Sequence, residues 1–168
     1  MIRLLGAALL VTGCGGFGFS LAAACRREMR LLRRLIHALQ EMEWELKYRM
    51  TELPELCQIA GNAAGGILKE VFQELSGRLS RNEVTDISGS LNSIIYRKEL
   101  PGRVRKNLRQ LGASLGRFDL EGQLQGLECV RRQCRKDLQA LEEGSAMRLR
   151  NYQTLALCAG LALAILFI

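Results

Sequence analysis

Histidine is almost missing from this chain. His37 stands alone among 168 residues, and no two of the six cysteines are spaced as C-x-x-C. Structural and catalytic zinc sites gather closely spaced Cys and His ligands, so no metal site is expected. Phosphate-cradling Gly-Lys-Ser/Thr loops are absent too. Gly13, Gly15 and Gly18 satisfy G-x-G-x-x-G, but no strand precedes them and no ribose-binding acid follows, so the nucleotide-loop reading fails on context. No cofactor is expected, and no enzyme. Only Pro54 and Pro101 interrupt the backbone chemistry, and no alternating apolar and polar run is long enough for a strand. The expected fold class is all-α: an antiparallel helical bundle flanked by N- and C-terminal transmembrane helices.

Charge is missing from both ends. Residues 4–25 carry none, and 22 residues at about 1.5 Å each give roughly 33 Å of helix, enough to cross a hydrocarbon core. Residues 151–168 are likewise uncharged and rich in Leu and Ala, with Tyr152 placed to mark an interface. All 17 acids and all but one of the 24 bases lie in residues 26–150, which therefore carry +6. Arginines crowd the inner flanks, Arg26, Arg27, Arg30, Arg33 and Arg34 after the first span and Arg148 and Arg150 before the second. Only Arg3 lies on the far side. The positive-inside rule then predicts a cytoplasmic central domain with both termini outside.

Val11-Thr12-Gly13-Cys14 supports a competing reading, a lipoprotein-type assembly factor lipidated on Cys14. Against it, ten apolar residues follow where a polar tether belongs, and the arginines beyond resist export. Small residues recur every four positions, through Ala8, Thr12, Gly16, Ser20 and Ala24, and through Ala156, Gly160 and Ala164. Such stripes let helix backbones approach closely in lipid, which marks Gly16, Ser20 and Gly160 as candidate packing positions. Chance composition explains the stripes equally well.

The middle reads as helices. Met29, Leu32, Leu35, Ile36, Leu39, Met42 and Leu46 recur at three- and four-residue steps, predicting one amphipathic helix to about Met50. Thr51 reads as an N-cap before Pro54, and Gly61 as the close of that second helix. Between Gly61 and Leu100 four further glycines interrupt the pattern, yet Ile67, Val71 and Leu75, then Leu91, Ile94 and Ile95, still predict helices. Pro101 opens another, which Gly116 ends in a left-handed cap, and Asp119 offers its carboxylate to the next. The last helix, with Leu120, Leu124, Leu127, Cys134, Leu138 and Leu141 on a seam, meets no breaker before Tyr152.

Little chemistry is legible. Glu41, Glu43 and Glu45 are dense, but residues two apart on a helix point about 200° from each other, so a solvated or docking face is expected. His37 reads as a helix-surface residue, and Cys129 and Cys134 as core. The basic clusters, including Arg103, Arg105, Lys106 and Arg109, leave open a membrane-tethered nucleic-acid-binding protein, although the near-balanced acids and scarce aromatics argue against it.

Two stretches carry a resemblance: residues 39–48, Leu-Gln-Glu-Met-Glu-Trp-Glu-Leu-Lys-Tyr, continuing through Thr51, Leu53, Pro54, Glu55 and Leu56; and residues 111–119, Leu-Gly-Ala-Ser-Leu-Gly-Arg-Phe-Asp, with Gln123 and residues 150–155. In these the chain resembles the stage III sporulation protein AB family of endospore-forming bacteria. The likeness reaches the whole chain, by pattern alone between Gly61 and Leu100, and departs from the family at Glu52 and Phe118. It implies a non-enzymatic component of the channel complex joining mother cell and forespore, anchored in the mother-cell membrane that faces the forespore. The implied domain is similar to the cytoplasmic domains of type II secretion and type IV pilus platform proteins. The implied partners are the complex's own ATPase and its membrane components, not nucleic acid. Because they lie in the stretches that carry the likeness, Glu43, Glu45, Tyr48, Asp119 and Gln123 are the candidate partner-binding residues.

Overall fold

A computed structural model describes residues 23–84, 86–116 and 119–144 with their side chains, and the helical backbone on either side of them. The described residues are helical without a strand: α1 (Ile2–Tyr48), α2 (Leu53–Ala64), α3 (Gly66–Ser80), α4 (Ile87–Tyr96), α5 (Gly102–Ser114) and α6 (Leu120–Phe167). Two compact units divide the chain, Glu28–Leu138 and the outer arms Met1–Arg27 and Gln139–Ile168. The side chains of the predicted spans at 4–25 and 151–168 lie outside the described residues but for 23–25, and with them those of Cys14, Gly16, Ser20 and Gly160. Among the described residues, no helix is long and apolar enough to cross a membrane.

Within Glu28–Leu138, successive helices after α1 run antiparallel. Ser76 Oγ donates to Pro54 O at 2.7 Å, setting the end of α3 beside the start of α2. Arg78 donates to Ser93 Oγ, Arg97 to Glu74 and Lys98 to Glu70, a descending register that pairs α3 with α4. A Cβ on Gly112 would meet Leu91 Cδ2 at 3.0 Å, seating the end of α5 on the start of α4. Asn107 reaches Asp137 Oδ2 at 2.9 Å, while the Ser114 side chain lies against Gly126, so α5 and α6 are antiparallel as well.

The apolar periodicity does the packing. Leu32, Leu35, Leu39 and Met42 of α1 are fully buried with Leu56, Phe72, Leu75, Ile94 and Leu108 from the shorter helices. Each such side chain contributes about 1.5–3 kcal/mol of transfer free energy. Asp86 caps α4 by accepting from Ser88 N and Gly89 N, and Asp119 Oδ1 accepts from Gly122 N, as its place before α6 requires.

Several expectations need correction. Thr51 is not the cap of α2. Glu52 holds that position without a side-chain bond, and the Thr51 hydroxyl donates to Glu45 instead. Gly61 does not end α2, which continues to Ala64 and turns at Gly65 with φ +65°; Gly61 is buried where a Cβ would come within 3.2 Å of Phe72 Cβ. Gly77 and Gly89 likewise sit inside α3 and α4, carried by the apolar face around them. On α6 the buried seam is Leu127, Val130 and Cys134, whereas Leu120 and Cys129 are exposed. Gly116 has the expected left-handed φ, +72°, although α5 stops two residues earlier.

Candidate docking surface

Trp44 and Tyr48 stand one turn apart on the side of α1 turned away from Met42 and Leu46. Their rings lie 5.5 Å apart at 49°. Both are exposed, at 50% and 64%, and Met50, two residues beyond Tyr48, is 73% exposed. Large apolar side chains are seldom left in water as a group, so a cluster like this is a candidate contact surface. Cations frame it: the Arg49 guanidinium lies 5.5 Å from the Trp44 ring centre and Lys47 Nζ 5.4 Å from that of Tyr48.

A buried carboxylate builds this ridge. Glu45 follows Ala38 and Met42 on the covered face of α1 and is only 7% exposed. Its Oε1 takes Arg49 Nη1 at 3.4 Å and its Oε2 takes the Thr51 hydroxyl at 3.0 Å. The first contact holds Arg49 near Trp44. The second closes the turn out of α1, where Met50 adopts φ +50°, a left-handed conformation that costs a non-glycine residue roughly 1–2 kcal/mol. Glu43, on the next face, pairs with Arg131 Nε of α6 at 2.8 Å, each side chain about four-fifths covered.

The five residues expected to bind a partner therefore divide. Tyr48 belongs to the exposed ridge. Glu43 and Glu45 do not form a solvated face, because both are engaged inside the fold. Asp119 and Gln123 belong to the start of α6, Asp119 as its cap, in a turn whose Gly116 lies against Leu53 of α2. Sequence reasoning missed Trp44 and Met50. The i, i+4 pairing of Trp44 with Tyr48, off the apolar stripe, was the available signal.

Elsewhere the chemistry is quiet. His37 is on the surface of α1, 4.0 Å from Glu41. Gly112-Ala113-Ser114-Leu115-Gly116 matches G-x-S-x-G, but Ser114 closes a helix instead of a strand-to-helix turn, and its hydroxyl donates to Leu111 O. Burial pushes the thiols of Cys57 and Cys134 up to about 12, with Asp137 adding to the shift at Cys134. Such thiols are not nucleophiles at neutral pH. A cleft of about 520 Å³ between the start of α2 and the end of α3 is lined by Glu52, Pro54, Glu55, Gln58, Leu79, Ser80 and Asn82. Among the described residues, no three His, Cys, Asp or Glu side chains gather as a metal site.

The described architecture is an all-helical bundle domain with an aromatic ridge on its first helix. Residues 3–168 match the stage III sporulation protein AB family, and the chain belongs to it. It is similar to the stage III sporulation protein AB of Bacillus subtilis (strain 168), 25% identical over 169 residues that cover 99% of each chain. A solved structure of a stage III sporulation protein AB shares the fold with a TM-score of 0.62 at 21% identity, over 72% of this chain and 98% of that one.

Proposed function

We propose that this chain is a non-catalytic, membrane-anchored scaffold of the sporulation apparatus. Its bundle stands in the mother-cell cytoplasm, its anchors are 4–25 and 151–168, and the Trp44, Tyr48 and Met50 ridge receives the complex's cytoplasmic ATPase. Family membership supports the role in sporulation. The arginines on the inner flanks of both apolar segments support the topology. The observation that carries the docking reading is the ridge itself: aromatic side chains left in water while the carboxylates beneath them are committed to the fold.

The test separates contact from stability. Trp44→Ala with Tyr48→Ala removes exposed surface, and Met50→Gly removes a side chain while relieving the left-handed φ. All three should keep or raise the thermal midpoint. Capture of the ATPase from sporulating cells should nevertheless fall by about thirtyfold for the aromatic pair, the loss expected when a hot spot is truncated. Normal capture and normal spore yield would rule the ridge out.

A further inference from the structure

We propose that the end of the bundle where α1 arrives and α6 departs is a seat for an anionic lipid surface. The turns of an antiparallel bundle alternate between its two ends. The α1–α2, α3–α4 and α5–α6 turns share one end. The α2–α3 turn at Gly65 and the α4–α5 link over residues 97–101 share the other, with the start of α1 and the closing turns of α6 in Glu28–Leu138. Two contacts tie this second end together: Arg34 Nη1 crowds Gly66, 2.8 Å from where a Cβ would stand, and Lys98 Nζ meets Glu70 of α3 at 2.6 Å.

The two ends differ in charge. The first carries Glu52, Glu83, Asp86, Asp119 and Glu121 in or beside its turns, against the bases Arg49 and Arg81 there. At the second, α1 supplies Arg30 and Arg34, α5 supplies Arg103 and Lys106, and the α4–α5 link supplies Arg97 and Lys98, which pair with Glu74 and Glu70 of α3. The acids there are Glu28, Glu70, Glu99 and Asp137, of which Glu70 is held by Lys98 and Asp137 by Asn107 and Gln133. Arg103 Nη1 and Arg105 Nε of α5 are buried without a hydrogen-bond partner, as is the acceptor Asn107 Oδ1 on the same helix. An anionic surface orients a molecule polarised in this way.

Tyr96 makes the surface a bilayer. It ends α4 between the basic groups and is 80% exposed, an amphipathic ring of the kind that settles at the headgroup level. Nucleic acid would also answer the charge, but one tyrosine is no stacking platform. The anchors proposed above would present this end to a bilayer, because the chain enters the bundle here at Glu28 and leaves it here at Leu138. The proposal rests on that reading only for how the bundle is presented.

Full-length protein carrying Tyr96→Trp and Trp44→Phe reports from this end alone, since Trp44 is the sole native tryptophan. It would be reconstituted with phosphatidylcholine vesicles, with or without phosphatidylglycerol. Expected are a blue shift and quenching by spin-labelled lipid only where phosphatidylglycerol is present, both lost near 1 M salt, where the screening length is about 3 Å. Lys106→Glu and Arg30→Glu should each move the phosphatidylglycerol titration by fivefold or more, since removing one cation near a membrane is already worth about that factor. Identical emission on both vesicle types would overturn the seat. So would an oligonucleotide that produces the shift on phosphatidylcholine alone. Flotation judges the anchors separately: protein that fails to float with phosphatidylcholine but binds phosphatidylglycerol keeps the seat and loses the spans.

Discussion

Glu45 shows how one side chain can be read two ways. Glutamate in a charged run on a helix looks solvated, but position 45 lies three residues after Met42 and so turns toward the covered face. Its two oxygens then organise Arg49 and Thr51. Cys57 is a second buried residue with a legible consequence. Its thiol titrates near 9.0 when unburied and is pushed up to about 12 in the fold, because burial disfavours the thiolate. The folded state holds this proton more tightly than the unfolded one. The stability it represents is complete below pH 9.0 and is lost as pH rises toward about 12. Cys57→Ala lacks that titration and leaves a small void. Its deficit in unfolding free energy relative to the parent should therefore be constant at neutral pH and shrink above pH 9, as measured by denaturant titration across the alkaline range. A deficit independent of pH would mean that the thiol is not desolvated.

At the scale of elements, helix identity was legible from apolar spacing and helix ends only in part: Pro101, Gly116 and Asp119 hold the places expected of them, Thr51 and Gly61 do not. The 3.6-residue pattern located α1 and α6 and placed Ile67, Val71, Leu75, Leu91, Ile94 and Ile95 on helices. Gly61 misled because it serves packing instead of termination. At Gly61 the absent Cβ lets α2 approach α3, and at Gly126 it lets α6 approach the Ser114 side chain of α5. Thr51 misled because a tertiary acceptor, Glu45, takes the hydroxyl that a local cap would have used. These uses predict opposite signs for the same substitution. Gly126→Ala puts a Cβ against Ser114 and should lower stability by about 1–3 kcal/mol, the usual cost of overpacking. Gly144→Ala, also within α6 but with no atom within 4 Å of its Cβ, should raise helix stability by up to about 1 kcal/mol. Thermal melts of the two variants side by side decide the matter, and equal shifts would mean that Gly126 is not a packing position.

At the scale of the whole bundle, the aromatic ridge depends on α1 being held where it is, and the Glu43–Arg131 pair is one of the ties that hold it to α6. From the sequence alone Glu43 is a docking candidate, because the 88 residues separating it from Arg131 hide their contact and nothing local to either residue signals it. A charge exchange distinguishes the two roles. Glu43→Lys alone brings like charges together on side chains that are each about four-fifths covered, so it should lower the thermal midpoint and reduce partner capture with it. Adding Arg131→Glu restores an opposite-charge pair in reversed order. If Glu43 acts within the fold, the double variant should recover about 1–2 kcal/mol of the lost stability and recover ATPase capture in step, because the ridge is untouched. If Glu43 itself meets the partner, the exchange will mend the midpoint while capture stays low, since a lysine now faces the surface that a glutamate once met. Melting curves and co-purification of the parent, both single variants and the double variant therefore assign Glu43 to the framework or to the interface.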